Sequence, residues 1–364
     1  MLAEPGGADC DGSFLMKIAD VEFHLVEIPR GATSPPVRSL VVRLSTDQGH
    51  EGWGEGALDW RPGELAARRS ALLPALVGHS VFNVAELAAS DALATSELRA
   101  AIEMAHWDLL GRVLQQPLCH LWGGVYRQRI PLVVRLPALP AVALPEFARE
   151  LADCGYPAQI LASGGDVAAD LALATSLRET LGSRSELRFD AQGRYRFDDA
   201  RRLAEGLAEQ QFAMLLDPLA PRDAEHRARF ARQSEVPVGI SAEVRSPQDV
   251  LHLAREEGVR AVIFAPERLG GLSAVRNAAA VADAAGLAAA LGGRPTLGLG
   301  VAARLQLAAA LPRLAIGNEC AVPDLRDDIL AAPLVAADGM LTVPGEPGLG
   351  VTVDRAQLER WQVT

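Results

Sequence analysis

Apolar and polar residues follow two different periods along this chain, and the period changes near residue 130. Before that point, residues 17–29 and 38–46 alternate apolar with polar positions, which is typical of strands with one buried face. A hairpin is predicted next, in GHEGWGEGALDW, and three helical segments follow it. These helices are predicted at 64–77, 83–93 and 96–114. The pattern indicates a small α+β domain in the first third of the chain.

From Ile130 onward, short apolar runs alternate with amphipathic helical stretches. Short buried strands separated by helices predict a parallel sheet that is covered on both faces. Eight such strands with seven helices between them favour a closed (β/α)7β barrel over an open doubly wound sheet. The predicted strands are IPLVVRL, AQILA, ELRFD, FAMLL, VPVGIS, RAVIFA, LAAAL and LAIGNE. The predicted helices lie near 144–153, 167–181, 198–209, 224–233, 247–257, 273–285 and 299–310.

These patterns divide the chain into three parts. Residues 1–15 have neither the basic nor the apolar region of a secretory signal, and we expect them to form a disordered tail. The N-terminal domain is predicted to span 16–129, and the barrel 130–337. The last part, 338–364, again reads as strand and turn, and we expect it to return to the N-terminal domain.

The composition narrows the class of protein. Apolar residues make up 49% of the chain and charged residues 22%, which is typical of a globular protein with a packed core. The formal net charge is −11 and no basic patch is evident, so we expect no binding to nucleic acid or to an anionic membrane. The sequence also has no apolar run long enough to span a bilayer.

Cysteine and histidine usage bears on the compartment and on metal binding. The four cysteines, Cys10, Cys119, Cys154 and Cys320, show no paired spacing, and the seven histidines show no short ligand spacing. This usage favours a reducing compartment, so we expect a cytoplasmic protein with neither disulfides nor a zinc site.

One acidic residue stands at the carboxyl end of a predicted barrel strand. The stretch ELRFDAQGRY, residues 186–195, combines a short buried strand with Asp190 and a turn at Gln192-Gly193. In parallel barrels the carboxyl ends of the strands line the active site, so Asp190 is the first candidate for chemistry. The predicted strands on either side end without a charged partner for it.

Three longer stretches carry a resemblance to known proteins: AIEMAHWDLLGRVLQQPLCHLWGG (101–124), RLGGLSAVRNAAAVADAAGL (268–287) and DGMLTVPGEPGLGVTVD (338–354). They are similar, in order, to the last helix of the capping domain, the sixth barrel loop and helix, and the C-terminal return segment of the enolase superfamily. The branch that they resemble contains mandelate racemase and muconate lactonizing enzyme. The likeness extends over residues 17–360 and implies a modified TIM barrel, (β/α)7β, with an N-terminal α+β capping domain.

The resemblance also implies a chemistry. Enzymes of this family remove a proton α to a carboxylate, and a Mg²⁺ ion held by three acids on successive strands neutralises the enediolate. Lys or His residues on flanking strands move the proton. A bound metal ion together with a Lys or His base supplies a large acceleration of this proton removal.

Most positions that carry this chemistry in the family hold other residue types here. Asp190 is retained on the third strand, with Gln192 in place of the usual Asn. One carboxylate cannot hold Mg²⁺, which takes octahedral oxygen ligation and usually more than one acid, so we expect neither Mg²⁺ nor another cofactor. The substituted positions are Ile160 and Ala162 for Lys-x-Lys, Leu216 for the fourth-strand acid, Ser241 and Ala242 for the fifth-strand acidic pair, Ala265 for Lys or Asp, and Gly292 for the catalytic His.

Three hypotheses about function remain open. The first is a metal-independent isomerase or lyase that acts on a small organic acid or an amino-acid derivative. The second is a non-catalytic binding or regulatory protein that keeps the pocket. The third is a conventional Mg²⁺-dependent racemase, cycloisomerase or dehydratase with its ligands shifted by one residue, to Asp190, Asp217 and Glu243. Strand alternation weighs against the third, because it turns neighbouring side chains to opposite faces.

The first hypothesis assigns roles to particular side chains. Asp190 and Glu267 are the candidate catalytic residues, and a lone Asp190 could also pair with a guanidinium such as Arg294. Arg294 follows the seventh strand, where it can grip the carboxylate of a small anionic substrate in bidentate fashion. Further candidates for substrate contact are Arg268, Trp60 and Arg38. Association into a homo-oligomer stays open, because the sequence gives no clear interface signal.

Overall fold

The computed structural model describes residues 16–31, 34–221, 224–314, 316–320 and 325–363. The predicted tail, residues 1–15, therefore lies outside the described residues. The N-terminal domain begins with a three-stranded antiparallel sheet in the order β1-β2-β3. Its strands are β1 Ile18–Ile28, β2 Val37–Thr46 and β3 Glu51–Gly56.

Helices cover one face of this sheet, and the longest of them, α3, packs directly on β3. Thr95 caps α3 by accepting a hydrogen bond from Leu98 N at 3.2 Å, which satisfies one of the free N–H groups at a helix start. A Cβ at Gly54 in β3 would overlap the carbonyl oxygen of Ala101 on α3, so glycine permits this close packing. The helices are α1 Leu65–Leu76, α2 Val84–Ala88, α3 Ser96–Val113 and α4 Leu118–Leu121.

The second domain is a parallel barrel, and each of the eight apolar runs predicted as a strand overlaps one. The neighbours pair in parallel in chain order, with β11 joining β4 at the start of the series. The strands are β4 Arg129–Arg135, β5 Ala158–Ala162, β6 Glu186–Asp190, β7 Met214–Leu216, β8 Val238–Ile240, β9 Val259–Phe264, β10 Ala288–Leu291 and β11 Asn318–Glu319. The predicted (β/α)7β barrel with an N-terminal α+β domain is confirmed.

Helices follow seven of these strands at the predicted places. They are α5 Leu144–Asp153, α6 Val167–Leu181, α7 Phe197–Glu209, α8 Ala224–Gln233, α9 Pro247–Ala254, α11 Leu272–Ala284 and α12 Gly298–Ala310. A short helix that the sequence pattern did not predict, α10 Pro266–Leu269, lies between β9 and α11. In the part of the chain that the structure describes, no helix combines the length and the hydropathy needed to cross a membrane.

In the part of the chain that the structure describes, a side chain joins β10 to β11 and closes the barrel. Strands β10 and β11 form no ladder there, and the backbone N–H of Leu291 instead donates to Asn318 Oδ1 at 2.7 Å. Inside the barrel, Met214, Leu216 and Ile263 pack together with small alanines. An apolar plug therefore lies beneath the carboxyl ends of the strands.

The C-terminal segment contacts both domains. Its strand β12, Met340–Thr342, pairs antiparallel with β4 of the barrel. Its helix α13, Arg355–Trp361, precedes Val363, whose N–H donates to Leu25 O on β1 at 2.8 Å. The segment thus begins on the barrel and ends on the sheet of the N-terminal domain.

Two buried glutamates of the N-terminal domain bind the first turns of barrel helices. Glu55 on β3 accepts hydrogen bonds from Leu297 N and Gly300 N, both at 2.8 Å, at the start of α12. Glu103 on α3 accepts from Leu272 N at 2.5 Å, at the start of α11. Burial raises the pKa of both carboxyl groups, and the hydrogen bonds oppose that rise. Because helix N-termini carry partial positive charge, these contacts hold the two domains in register.

Candidate active site

A guanidinium bridges two carboxylates across the carboxyl ends of the barrel strands, a region called here the barrel mouth. Asp190 ends β6, Arg135 ends β4 and Glu319 ends β11. Arg135 Nη1 donates to Asp190 Oδ2 at 2.8 Å, and its Nε donates to Glu319 Oε1 at 2.6 Å. Burial lowers the pKa of Arg135, but the two carboxylates outweigh burial and raise the pKa above its ordinary value. Arg135 is therefore a fixed positive charge.

Sequence reasoning missed both Arg135 and Glu319, and it offered Arg294 as a partner for Asp190. In the structure, Asp190 pairs with Arg135 instead, from a strand that does not neighbour β6. A signal was present, since both residues are charges at the carboxyl end of an apolar run, in IPLVVRL and LAIGNE. Only the closure of the barrel, which sets β11 beside β4, shows that they meet.

Asp217 lies directly after β7 and is buried. Its Oδ1 accepts from Ser241 N at 2.9 Å, and its Oδ2 accepts from Ala242 N at 3.1 Å. Burial and the nearby charge of Asp190 raise its pKa to about 6, although these hydrogen bonds and Arg268 oppose the rise. Its carboxylate thus binds the backbone after β8.

Glu243 contacts a different part of the barrel. It forms an ion pair with Arg227 on α8, and Arg227 Nε also donates to Glu256 at 2.8 Å. The structure therefore does not bring Glu243 together with Asp190 and Asp217. Among the described residues, no three His, Cys, Asp or Glu side chains form a group that could hold a metal ion.

The position that faces Asp190 across the strand pair is apolar. Leu216 on β7 pairs with Asp190 in the sheet register, so the two side chains share the inner face. Leu216 is 4% exposed and packs with Ile263 in the apolar plug. A Cβ at Gly292, where the family resemblance places a histidine, would lie 2.7 Å from Ile263 Cγ2. These side chains offer no oxygen to a divalent cation, so the donor set here does not fit the three-acid Mg²⁺ site.

Glu267, Arg268 and Arg294 all follow barrel strands, β9 for the first two and β10 for the third. Glu267 on α10 accepts from Arg294 N at 2.8 Å, and its Oε2 lies 3.8 Å from Arg304 Nη2. Arg268 donates to Ser241 Oγ at 2.7 Å, while the Arg294 side chain is exposed. The structure thus sets Glu267 and Arg294 together near the bridge formed by Arg135, whereas Arg268 contacts the backbone region after β8 through Ser241.

Trp60 and Arg38 belong to the packing of the N-terminal domain. Trp60 is 9% exposed and stacks edge-on against Phe23, with ring centroids 5.7 Å apart. Arg38 Nη2 donates to the carbonyl oxygen of Trp60 at 3.1 Å. The sequence offered Trp60 as a candidate for substrate contact, but its ring is buried in the core of the N-terminal domain, where a large aromatic side chain stabilises the packing.

Two cavities open at the mouth and share Arg30 and Arg135. The smaller, of about 80 Å³, also contacts Arg294, Arg304 and Glu319. The larger, of about 400 Å³, adds Ser163 and a wall of leucines: Leu136, Leu139, Leu144, Leu161 and Leu173. A separate cavity of about 650 Å³ lies by His50, Trp53 and Arg355, away from the strand ends, and is polar and open to solvent.

A hydrogen-bonded group that the sequence did not single out borders the larger cavity. Ser163 follows β5, and its Oγ lies 2.6 Å from the hydroxyl oxygen of Tyr195. Tyr195 donates to the buried Asp170, which also accepts from Gly164 N at 2.8 Å. Burial and the bond to Asp170 raise the pKa of Tyr195. The group fixes the loop after β5 and lends the cavity a polar edge.

A (β/α)7β barrel capped by an α+β domain, with charged side chains gathered at the carboxyl ends of its strands, defines a two-domain protein of the TIM-barrel class. Residues 143–357 match the family profile described as enolase C-terminal domain-like. Residues 24–123 match that of the mandelate racemase/muconate lactonizing enzyme N-terminal domain. The chain belongs to the enolase superfamily, in its mandelate racemase/muconate lactonizing enzyme branch.

Individual relatives are similar over nearly their whole length. Muconate cycloisomerase 1 of Rhodococcus opacus is 26% identical, covering 95% of this chain and 98% of the relative. N-succinylamino acid racemase of Amycolatopsis sp. is 28% identical, covering 92% of this chain and 95% of the relative. The crystal structure of 2-chloromuconate cycloisomerase from Rhodococcus opacus 1CP superposes with a TM-score of 0.87 at 25% identity, covering 96% of this chain and 99% of that one.

Proposed function

We propose that this protein is a divergent isomerase or lyase that acts on a small organic acid or amino-acid derivative without the three-acid Mg²⁺ site. The observation that carries the proposal is the bridge of Arg135 between Asp190 and Glu319, at strand ends that otherwise hold apolar or small residues. The two relatives named above support the substrate class, since their names refer to muconate and to an N-acylated amino acid.

The larger cavity supports an anion with an apolar body. Its lining combines the guanidinium of Arg135 with the side chains of several leucines. A carboxylate pairs well with a planar guanidinium, whereas burial of a hydrocarbon group beside leucines contributes ~25 cal/mol per Å². The volume of about 400 Å³ suits a compact molecule.

Within this proposal, Asp190 and Glu267 remain the candidate acid–base pair. Both lie at the mouth, and both are partly exposed, with 13% and 12% of their side-chain surface accessible. Carboxylates of this kind can exchange a proton with a substrate only if they reach it. Asp190 bonds to Arg135 and Glu267 accepts from Arg294 N, and both arginines line the smaller cavity, so the two carboxylates lie next to that lining. The arginines would orient the substrate carboxylate towards them.

The proposal predicts α-proton exchange or turnover that survives chelation. A panel of small carboxylic acids and N-acylated amino acids is incubated in D₂O with EDTA and followed by NMR. We expect at least one to exchange or react, and Asp190→Asn to slow that reaction by ~100-fold or more, in the range of a lost acid–base group. Asp198→Asn, an exposed change on α7, should leave the rate unchanged.

A second candidate function is a non-catalytic binding protein. It is favoured by the engagement of Asp190, Asp217 and Glu267, each of which already accepts hydrogen bonds from the protein. Saturable binding of a carboxylic acid with no exchange in either EDTA or Mg²⁺ would support this second function. Turnover that appears only after Mg²⁺ is added, and that EDTA abolishes, would contradict the metal-independent proposal.

A further inference from the structure

We propose that Arg135 is a built-in cation that occupies the place of a divalent metal and binds the carboxylate of the ligand. A metal ion in a barrel mouth gathers carboxylates from several strand ends and leaves positions open for the substrate. Arg135 gathers carboxylates in the same way, since from β4 it joins Asp190 of β6 to Glu319 of β11. The anion-binding half of this inference rests on the proposed function.

Charge balance at the mouth supports the assignment. Asp190 and Glu319 are 13% and 15% exposed, and two partly buried carboxylates near each other repel unless a cation lies between them. The Arg135 guanidinium contacts both, at 2.8 and 2.6 Å. Because a guanidinium stays protonated throughout the physiological pH range, this cation cannot be lost by titration or by chelation.

The geometry leaves part of the guanidinium available. A guanidinium has five N–H donors, and the carboxylates of Asp190 and Glu319 take one each. Arg135 also contributes to the lining of both mouth cavities, and its side chain is 33% exposed. It can therefore hold a ligand carboxylate in the cavity that it shares with the leucines while it keeps its two protein partners.

The neighbouring residues explain why a divalent cation would not displace the Arg135 guanidinium from the barrel mouth. Strand β7 presents Leu216, β9 presents Ile263, and Gly292 directly follows β10, so the floor of the mouth is apolar. Asp217 is turned to the amide groups of Ser241 and Ala242. With Arg135 present, an added divalent cation would meet a positive charge, and the carboxylates of Asp190 and Glu319 that could bind it are already bonded to the guanidinium.

The test exchanges one cation for another. Wild-type protein and Arg135→Ala are titrated with Mn²⁺, and free Mn²⁺ is followed by electron paramagnetic resonance. We expect no saturable binding to the wild type up to ~1 mM, and binding of one Mn²⁺ by Arg135→Ala with a Kd of ~1 mM or tighter, in the range of weak carboxylate sites. Adding Asp190→Asn to Arg135→Ala should abolish Mn²⁺ binding. Arg135→Lys keeps the positive charge and should bind no Mn²⁺.

A second arm uses benzoate, a carboxylate with an apolar body, as the probe. We expect benzoate to raise the melting temperature of the wild type and not that of Arg135→Ala. If Arg135→Ala does not fold, Arg135→Gln is used in both arms.

The two arms fail independently. Mn²⁺ binding by the wild type, or a folded variant that binds no more Mn²⁺ than the wild type, would overturn the role of Arg135 as a built-in cation. Benzoate binding that is equal in the wild type and the variant would overturn its role as the carboxylate anchor. If no acid in the NMR panel reacts while the Mn²⁺ and benzoate results are as expected, the proposed activity is wrong and the role of Arg135 as a built-in cation is still supported.

Discussion

Asp217 is the residue whose environment makes the clearest pH-dependent contribution to stability. Its folded pKa of about 6 exceeds the unfolded value of 3.8, so the folded protein holds a proton that the unfolded chain has already released. Its contribution is therefore largest below pH ~4 and decreases as the pH rises to ~6. His106 titrates over the same range in the opposite sense, because burial lowers its pKa to about 4. Because the two contributions overlap, the contribution of Asp217 is measured by comparing the wild type with a variant at that position.

We expect Asp217→Asn to remove this slope. Between pH 4.5 and 7, the free energy of unfolding of the wild type should fall by ~2 kcal/mol relative to that of the variant, from the size of the pKa shift. Urea unfolding at several pH values measures the difference. Asp198→Asn serves as the control and should run parallel to the wild type. Parallel curves for wild type and Asp217→Asn would show that Asp217 does not titrate as described.

At the scale of elements, the domains are joined where helix α3 and strand β3 meet the N-termini of α11 and α12. Glu103 is 2% exposed and receives two backbone N–H groups at the start of α11, from Leu272 at 2.5 Å and Ser273 at 3.1 Å. Trp107 Nε1 donates to the same carboxylate at 3.3 Å. Three protein donors therefore bind this buried carboxylate, and loss of an acceptor oxygen would leave a backbone N–H group without its partner.

Glu103→Gln should destabilise the protein by ~1 to 3 kcal/mol, because an amide N–H₂ would face backbone donors that need an acceptor. The midpoint of guanidinium unfolding measures the loss. Glu97→Gln on the same helix is the matched control, since Glu97 is partly exposed and should change stability by less than ~0.5 kcal/mol. Equal effects of the two changes would contradict the account of the domain contact.

The elements themselves were largely predictable from the sequence. Barrel strands and helices follow from apolar runs and helical periods, which depend on neighbours within a few residues. The short helix Pro266–Leu269 was missed because four residues are too few to show a helical period. The partners of Arg135 were missed for a different reason. Asp190 is 55 positions away and Glu319 is 184, so only the closed barrel brings the three together.

Across the whole molecule, the family scaffold persists while the residues at its mouth differ. The core of the barrel and the buried contacts with the N-terminal domain use none of the charged side chains Arg135, Asp190 and Glu319 at the strand ends. Barrel stability and barrel-mouth chemistry can therefore change separately. In this chain, an apolar floor and a guanidinium bridge stand where the resemblance predicts three acids.

A crystal structure grown with excess Mn²⁺ and examined by anomalous scattering tests this claim most directly. We expect no anomalous peak at the barrel mouth, and we expect the Arg135 guanidinium to lie between Asp190 and Glu319. An anomalous peak within ~2.2 Å of an Asp190 oxygen and two further protein oxygens, with Arg135 displaced, would contradict this claim.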